Sequence, residues 1–366
     1  MALIFCDGFD HYDTAHIEQK WDATVGEIWN PIVISVGTGR FSTNAIRLTD
    51  GWNYVMKAIP SGPQAVVSAG VSINPTDGIV NAPFFPIAFK TDTRFLCGVG
   101  ISPTHQLYAW SGHDGTYTTH NVLGYATNPI RSKTHQYIEV HVGAFHSTTG
   151  SIKVYLNGAL EIDLSGVETN SFSVTSVNDT TADAVTIGGK SSYVRTDFNG
   201  PVDADDFYLT DGTGLYNTDV LGDVRIEELL PNADGFYQQW DPLGAGLHYV
   251  EVDDPYNAID DDTTYVSTNV VNEIDTYTFP SVTPTAGDVK GVAVNFYAKK
   301  TDSGTRRIQM LARLPAGAGG TDGTGTEVSL GGVYAVYQSY MERDPNGNQW
   351  TIANILASEA GIKLSY

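Results

Sequence analysis

The chain has 366 residues, 42 of them acidic and 20 basic, and a formal net charge of −22. A domain usually spans about 100–200 residues, so this length predicts two domains. The excess of negative charge argues against nucleic acid and membranes as partners, because DNA, RNA and anionic lipids carry phosphates that repel it. No segment reaches the roughly 18 consecutive apolar residues of a membrane span.

The first residues and the two cysteines give no sign of a secreted protein. No basic segment and no long apolar stretch precede Asp7, so we expect no secretory signal peptide. Cys6 and Cys97 are too few for a disulfide framework, and each lies in an apolar run where cysteine acts as a small buried hydrophobe. We therefore expect a protein made in the cytoplasm with two free, buried thiols.

The first half of the chain has the pattern of an all-β protein. Short runs rich in Val, Ile, Thr, Tyr and Phe recur there, separated by Gly, Asn, Asp and Pro. Residues 40–48 and 136–142 are clear examples. The second run alternates strictly between apolar and polar side chains, which predicts a strand with one buried face.

A β-hairpin is the sharpest local prediction. Residues 151–156 and 159–164 are β-type runs, and Asn157-Gly158 lies between them. A type I′ turn needs positive φ at both central positions, and Asn-Gly supplies it at the lowest steric cost. We expect a two-residue turn there.

The second half begins after a change of composition. A strand-like segment at 223–230 is followed by turn-rich residues 231–235, the best candidate boundary. We therefore assign residues 1–222 to the first domain and 223–366 to the second. Further predicted strands lie in the second domain at residues 263–267, 275–279, 289–299, 306–314 and 333–341.

Two segments near the C-terminus have other patterns. Residues 315–325 are rich in glycine, and the β runs on both sides favour a hairpin tip over an interdomain linker. Residues 351–360 have apolar side chains at helical spacing before Gly361, which predicts one short helix capped by that glycine.

Several of these runs, taken in order, resemble the concanavalin A-like (laminin-G-type) jelly roll. The similar pieces lie at residues 4–10, 39–48, 136–158, 185–189 and 203–209. The resemblance implies an all-β chain in which a jelly-roll sandwich is followed by a second β-sandwich-like domain with one short C-terminal helix.

A second resemblance covers most of the chain. The motif D-D-F-Y-L-T-D-G-T-G, then L-G-D-V-R-I-E-E-L-L-P-N-A-D-G, Trp240 and D-D-T-T-Y-V, is similar to virion structural proteins of tailed bacteriophages. It implies a non-enzymatic, tail-associated protein of the fibre, tail tip or baseplate, whose second domain anchors it or forms oligomers. A head-decoration protein and a host-glycan-binding adhesin remain the alternatives.

The same resemblance implies a location and partners. The protein would be part of the virion, assembled in the cytoplasm of the bacterial host. We expect other virion proteins as partners, together with further copies of the chain in a closed homo-oligomer such as a trimer. A host-surface glycan is the further expected ligand under the adhesin alternative.

Aromatic side chains in predicted loops are the candidates for ligand binding. Tyr and Trp are large, rigid and amphipathic, so they stack on sugar rings and also fill protein interfaces. Jelly rolls bury many aromatic side chains as well, which is the alternative role for each. The candidates are Trp29, Trp52, Tyr54, Trp110, Tyr117 and Tyr125.

Acidic residues give two weaker candidates. The run Asp260, Asp261 and Asp262 offers hard oxygen ligands of the kind Ca²⁺ prefers, although Asp runs more often form turns. We expect no other cofactor. Glu161 and Asp163 resemble the start of the E-x-D-x-(x)-E strand of retaining glucanases on this fold, in which two Glu residues act and the Asp tunes them. Ser165 and Gly166 stand where the second Glu would be, and the predicted place of the pair on a hairpin arm favours a solvent-facing role.

Overall fold

The computed structural model describes residues 2–26, 31–49, 53–76, 84–91, 94–112, 120–170, 179–189, 201–244 and 246–366. The chain divides into two compact units, Met1–Ile226 (unit 1) and Glu227–Tyr366 (unit 2). This division lies a few residues after the expected boundary between 222 and 223. Within the described ranges, no helix has the length and apolar character needed to cross a bilayer.

Unit 1 is built from strands, with one short helix, α1, at Ile17–Lys20. The strands are β1 Leu3–Asp7, β2 Ala23–Val25, β3 Val33–Ser35, β4 Ala45–Leu48, β5 Tyr54–Ala58, β6 Val67–Pro75, β7 Phe84–Lys90, β8 Phe95–Ile101, β9 Gln106–Ser111, β10 Asn121–Pro129, β11 Gln136–Ala144, β12 Gly150–Leu156, β13 Ala159–Val167, β14 Ala184–Gly188 and β15 Val202–Thr210.

These strands form two antiparallel sheets. Sheet A has the order β13-β12-β11-β6-β15-β4-β3, with β1 paired to β15, and sheet B has the order β10-β9-β8-β7-β14-β5-β2. Strands β11 to β13 and β7 to β10 pair consecutively, whereas the pairs β6–β15, β15–β4 and β7–β14 join strands far apart in sequence, as in a jelly roll. The expected all-β fold with a jelly-roll sandwich is confirmed.

Side-chain alternation explains which face of sheet A is buried in the sandwich. Ile138, Val140 and Val142 of β11 lie opposite Val71, Ala69 and Val67 of β6, and all six are fully buried. Alternate residues of a strand point to opposite faces, so the polar residues between them lie on the other face. We call the faces directed away from this core the outer faces of sheets A and B.

The predicted hairpin is confirmed and one predicted strand is shorter than expected. Asn157 and Gly158 have φ of 51° and 78° and join β12 to β13, as a type I′ turn requires. Residues 40–48 do not form one strand. Arg40–Ser42 form a 3₁₀ turn in which Phe41 has φ of 61°, and β4 begins only at Ala45.

Unit 2 contains the remaining strands and one short helix, α2, at Ile352–Leu356. The strands are β16 Ala233–Gln238, β17 Asp241–Pro242, β18 Val266–Ser267, β19 Ile274–Thr278, β20 Val292–Ala298, β21 Arg307–Leu314, β22 Thr321–Ser329, β23 Ala335–Met341 and β24 Glu359–Leu364. The main sheet has the order β16-β19-β24-β21-β22, and β17–β18 and β20–β23 form two-stranded sheets.

The core of unit 2 lies between the main sheet and the β20–β23 pair. Phe296 of β20 and Met341 of β23 pack with Met310 of β21 and with Trp350, which is 1% exposed. In the glycine-rich segment, residues 315–320 join β21 to β22 and residues 321–325 already belong to β22. The hairpin-tip prediction is therefore confirmed and the linker alternative is wrong.

Two predictions for unit 2 are corrected. The C-terminal helix ends at Leu356, and Gly361 lies inside β24 because its backbone packs closely on β19. A Cβ at that position would lie 1.9 Å from the Asp275 carbonyl oxygen. The segment 223–230 is not a strand.

Candidate functional site

The outer face of sheet A is polar and is closed by the chain itself. Glu139 of β11 accepts hydrogen bonds from the Tyr208 hydroxyl at 2.5 Å and from the Gly222 amide at 2.8 Å. The Leu221 amide donates to the same hydroxyl at 2.9 Å. Glu139 is 1% exposed, and burial raises the pKa of its carboxyl. These groups hold the segment that follows β15 against the sheet.

Three further carboxyls near this face also receive protein donors. Asp205 accepts from the Arg40 amide, Asp206 from the Ile226 amide, and Asp10 from the Asn44 amide, each at 2.7 Å. Burial raises the pKa of Asp10 to about 7, and burial also raises the pKa of the neighbouring Asp205 and Asp206, that of Asp205 further because Asp206 repels its charge. Their contacts are structural, because each fixes a loop backbone to the sandwich.

The histidines of sheet A do not form a catalytic arrangement. The Ser68 hydroxyl and the Asp219 carboxylate both lie against Nδ1 of His141, at 2.9 and 3.1 Å. A nucleophile–base–carboxylate relay needs the two partners on different ring nitrogens. His135 contacts Ser72 through Nδ1 and the Thr38 carbonyl through Nε2, so both of its nitrogens are engaged.

Glu161 has a structural role rather than that of a glycosidase acid. One carboxylate oxygen accepts from the Thr127 and Asn128 amides at 3.1 and 3.2 Å, and the other accepts from the Asn128 side chain at 2.6 Å. These bonds join β13 to β10 and engage both oxygens of the carboxylate. Asp163 is exposed and lies opposite Lys153 in the hairpin.

The calcium expectation at Asp260–Asp262 is not met by the geometry. Asp262 accepts two bonds from the Lys299 ammonium, at 2.7 and 2.9 Å, and Asp261 accepts from the Tyr297 hydroxyl at 2.8 Å. Asp260 accepts from the backbone and hydroxyl of Thr264, as in a turn. In the parts of the chain that the structure describes, no group of three or more His, Cys, Asp or Glu side chains could hold a metal ion.

The outer face of sheet B carries a continuous row of aromatic rings. The row crosses the sheet from β5 to β10, and each ring contacts the next. We call it the aromatic row, and its members are Tyr54, Phe95, Trp110, Phe85, His120, Tyr108 and Tyr125.

Ring geometry shows two layers in the middle of the row. Phe85 stacks on Trp110 with centroids 4.4 Å apart, and His120 stacks on Tyr108 at 5.5 Å. The Tyr108 and Trp110 rings form the layer nearest the sheet and lie on the glycine backbone of β8. A Cβ at Gly100 would come within 2.4 Å of the Tyr108 ring. A larger residue there would force Tyr108 off the sheet.

The structure describes three of the six predicted ligand-binding aromatics and buries two of them. Trp110 lies on β9 and is fully buried, and Tyr54 lies on β5 and is 9% exposed. Both belong to the aromatic row and lie on strands, so their expected placement in loops is wrong, and a role for them in ligand binding stays a prediction. Tyr125 is 55% exposed and is the accessible end of the row. Trp29, Trp52 and Tyr117 lie outside the described residues.

The sequence pattern did not single out Tyr108 and His120. The signal for Tyr108 was the alternation of β9, where residues 108 and 110 must share a face, together with glycines at 98 and 100 of the neighbouring strand. His120 directly precedes β10 and had no pattern of its own.

Tyr108 has one unusual feature. It is 2% exposed, yet its hydroxyl has no hydrogen-bond partner among the residues that the structure describes. A buried hydroxyl without a partner is uncommon, because it loses its bonds to water without compensation. Burial raises the pKa of this phenol, with a smaller contribution from Tyr125, so it remains a neutral donor. We call Tyr108, His120 and Tyr125 together the Tyr108 site.

Comparisons with known proteins agree on the architecture. No family model matches the chain, and no curated protein matches it. Among solved structures, the endo-β-1,4-glucuronan lyase of Trichoderma reesei is similar with a TM-score of 0.44 and 14% identity, over 57% of this chain and 97% of that one. The carbohydrate-binding module CBM66 of Bacillus subtilis has a TM-score of 0.34 and 13% identity, over 51% and 94%.

A third similar structure is larger than this chain. The Trypanosoma rangeli sialidase has a TM-score of 0.34 and 10% identity, over 55% of this chain but only 29% of the sialidase. At these identities and TM-scores the similarities concern the architecture and carry no activity over to this chain.

The expectation of a non-enzymatic, tail-associated virion protein is corrected by these matches. They name two enzymes of carbohydrate chemistry and a carbohydrate-binding module, and none of the three is a virion protein. The function of this chain therefore has to be argued from its own residues.

Proposed function

We propose that unit 1 binds carbohydrate at the Tyr108 site, on the outer face of sheet B. The observation that carries the proposal is the buried Tyr108 hydroxyl, which has no partner in the described part of the chain. A ligand that accepts a hydrogen bond from this hydroxyl would remove the cost of leaving it unpaired.

The chemistry of the site suits a sugar ring. Pyranoses present apolar C–H faces, which stack on aromatic rings, and hydroxyl oxygens, which accept hydrogen bonds. Tyr125 offers an exposed ring, the stacked His120 ring lies beside it, and Tyr108 offers the donor. Small-molecule sites have this composition: mostly apolar or aromatic walls with a few placed polar groups.

Tyr125 also controls access to the buried hydroxyl. Its ring lies against that of Tyr108, with centroids 5.8 Å apart and planes tilted by 51°. No hydrogen bond from the described residues holds the Tyr125 side chain, so a rotation about χ1 costs only ring packing. In the proposed binding step Tyr125 turns aside, stacks on the sugar and exposes the Tyr108 hydroxyl to it.

Affinity electrophoresis of the full chain and of variants in unit 1 tests this proposal. Gels would contain soluble glucan, mannan, galactan, glucuronan or alginate. Tyr125→Ala should weaken retardation about tenfold through the lost stacking, and Tyr108→Phe about fivefold through the lost hydrogen bond.

The matched control is Tyr155→Ala, because Tyr155 lies on β12 in the other sheet and is also partly exposed. It should leave retardation unchanged. No retardation by any polymer, or equal loss from all three variants, would reject the Tyr108 site as the place of binding.

A further inference from the structure

We propose that the Tyr108 site selects uncharged sugar chains and discriminates against chains bearing carboxylates or sulfates. This inference rests on the proposed function, and it adds the chemical class of the ligand. It follows from the positions of the charged side chains along sheet B.

The cation that contacts the aromatic row lies at the Phe95 end, away from the Tyr108 site, and so cannot pair with an acidic sugar bound there. Among the described residues the row contacts one cation, Lys90, whose ammonium lies 5.7 Å from the centre of the Phe95 ring and 3.6 Å from the Met56 sulfur. The Trp110 and His120 rings separate Phe95 from Tyr108. No ammonium or guanidinium of the described chain contacts Tyr108, His120 or Tyr125.

The charged side chains that bond to β10 in the described chain are acidic. Glu161 binds the Thr127 and Asn128 amides, two and three residues beyond Tyr125, and Glu168 accepts from the Asn121 side chain at 3.3 Å, four residues before Tyr125. A sugar carboxylate stacked on Tyr125 would therefore approach a strand whose charged partners are negative. The net charge of −22 adds a further repulsive field at low salt.

The site itself is uncharged at neutral pH. Burial lowers the pKa of His120, so its ring is neutral, and Tyr108 remains protonated. Uncharged aromatic walls with one hydroxyl donor recognise C–H faces and sugar hydroxyls, and they offer an acidic group no counter-charge to replace its lost hydration.

The test compares neutral polymers with acidic polymers that have the same backbone linkage. Hydroxyethyl cellulose is paired with β-1,4-glucuronan, and linear β-1,4-mannan with polymannuronate, each titrated against the full chain by calorimetry at 20 and 300 mM salt. At least one neutral polymer should bind, with an affinity that changes less than twofold with salt. Its acidic partner should bind at least tenfold more weakly at low salt.

A designed variant sharpens the test. Val122 is 42% exposed and lies opposite Trp110, so it shares the outer face with Tyr125. Val122→Arg should bring the acidic polymer within about threefold of the neutral one at low salt, whereas the uncharged control Val122→Gln should not. Neutral binding should survive both changes.

Two outcomes overturn the inference in distinguishable ways. Binding of the acidic polymer as tightly as its neutral partner, with loss on Tyr108→Phe, would refute the selectivity and leave carbohydrate binding at the site standing. Absence of binding by all four polymers and by the glucan and galactan panel would refute the proposed function, and the selectivity with it.

Discussion

The two outer faces of the sandwich differ in how a buried tyrosine hydroxyl is bonded. On sheet A, Glu139 and Tyr208 bond to each other and to backbone amides. On sheet B, Tyr108 is equally buried, but its hydroxyl bonds to none of the described residues. Two buried tyrosines of one domain thus have opposite environments.

The difference separates structural from ligand-directed polar groups. Sheet A has more titratable side chains and would attract attention first as a catalytic face. Asp205, Asp206 and Glu139, however, each hold a loop backbone through one carboxyl oxygen, and the histidines are held by protein partners. Sheet B has few titratable groups, and one of them is unsatisfied. An unpaired donor is therefore a better indicator of a ligand here than a concentration of acids.

The largest expected loss of stability comes from removing the bonded tyrosine hydroxyl on sheet A. Tyr208→Phe removes the hydroxyl that bonds Glu139 and the Leu221 amide, and leaves both groups buried without that partner. The free energy of unfolding should fall by about 2–3 kcal/mol. Urea denaturation of the purified chain measures it; a loss below 0.5 kcal/mol on this scale would show that the network contributes little.

A smaller effect is expected from the carboxyls beside the same face. Burial raises the pKa of Asp10 to about 7, so the folded protein holds this proton more tightly than the unfolded chain does. Stability is therefore lost as the pH rises from about 4, the unfolded value, to about 7. Asp10→Asn keeps the acceptor for the Asn44 amide and removes the charge.

The Asp10→Asn variant should match the wild type at pH 4 and exceed its free energy of unfolding by about 1–2 kcal/mol at pH 8. Denaturation curves at a series of pH values show this directly, with the exposed Asp163→Asn as control. A variant that is equally destabilised at both pH values would mean that the carboxylate's hydrogen bond outweighs its burial.

The smallest effect on stability is expected on sheet B. Tyr108→Phe removes a hydroxyl that has no partner, so the ligand-free protein should keep its stability or gain up to about 1 kcal/mol. The same variant should bind carbohydrate more weakly, so stability and binding should move in opposite directions. If Tyr108→Phe destabilises the protein as Tyr208→Phe does, its hydroxyl is bonded and the contrast between the faces disappears.

Local chemistry made much of the fold predictable. The Asn157-Gly158 turn was recognised because backbone sterics decide it, and the segment 136–142 because strict alternation has one structural solution. The strand predicted at 40–48 was too long because Phe41 and Ser42 take positive φ, a conformation that their residue types do not indicate. The end of the last helix was misplaced because Gly361 serves close packing between strands rather than a helix cap.

The site was harder to predict because it depends on pairing across strands. Residue types singled out Tyr54, Trp110 and Tyr125 as aromatics, and the structure brings all three to one face. Which of them is covered depends on Phe85 and on glycines from a different strand. Whether the Tyr108 hydroxyl is satisfied depends on every group within about 3 Å of it, which a single sequence does not reveal.

The Glu161 carboxylate has a consequence for solubility. Strands β10 and β13 end their sheets, and an open sheet edge can pair with the edge of another molecule. By occupying two amides of β10, Glu161 joins the two edges of the sandwich to each other and places a charge on the seam. One acidic side chain thereby removes a stretch of backbone on which a second chain could otherwise begin to aggregate.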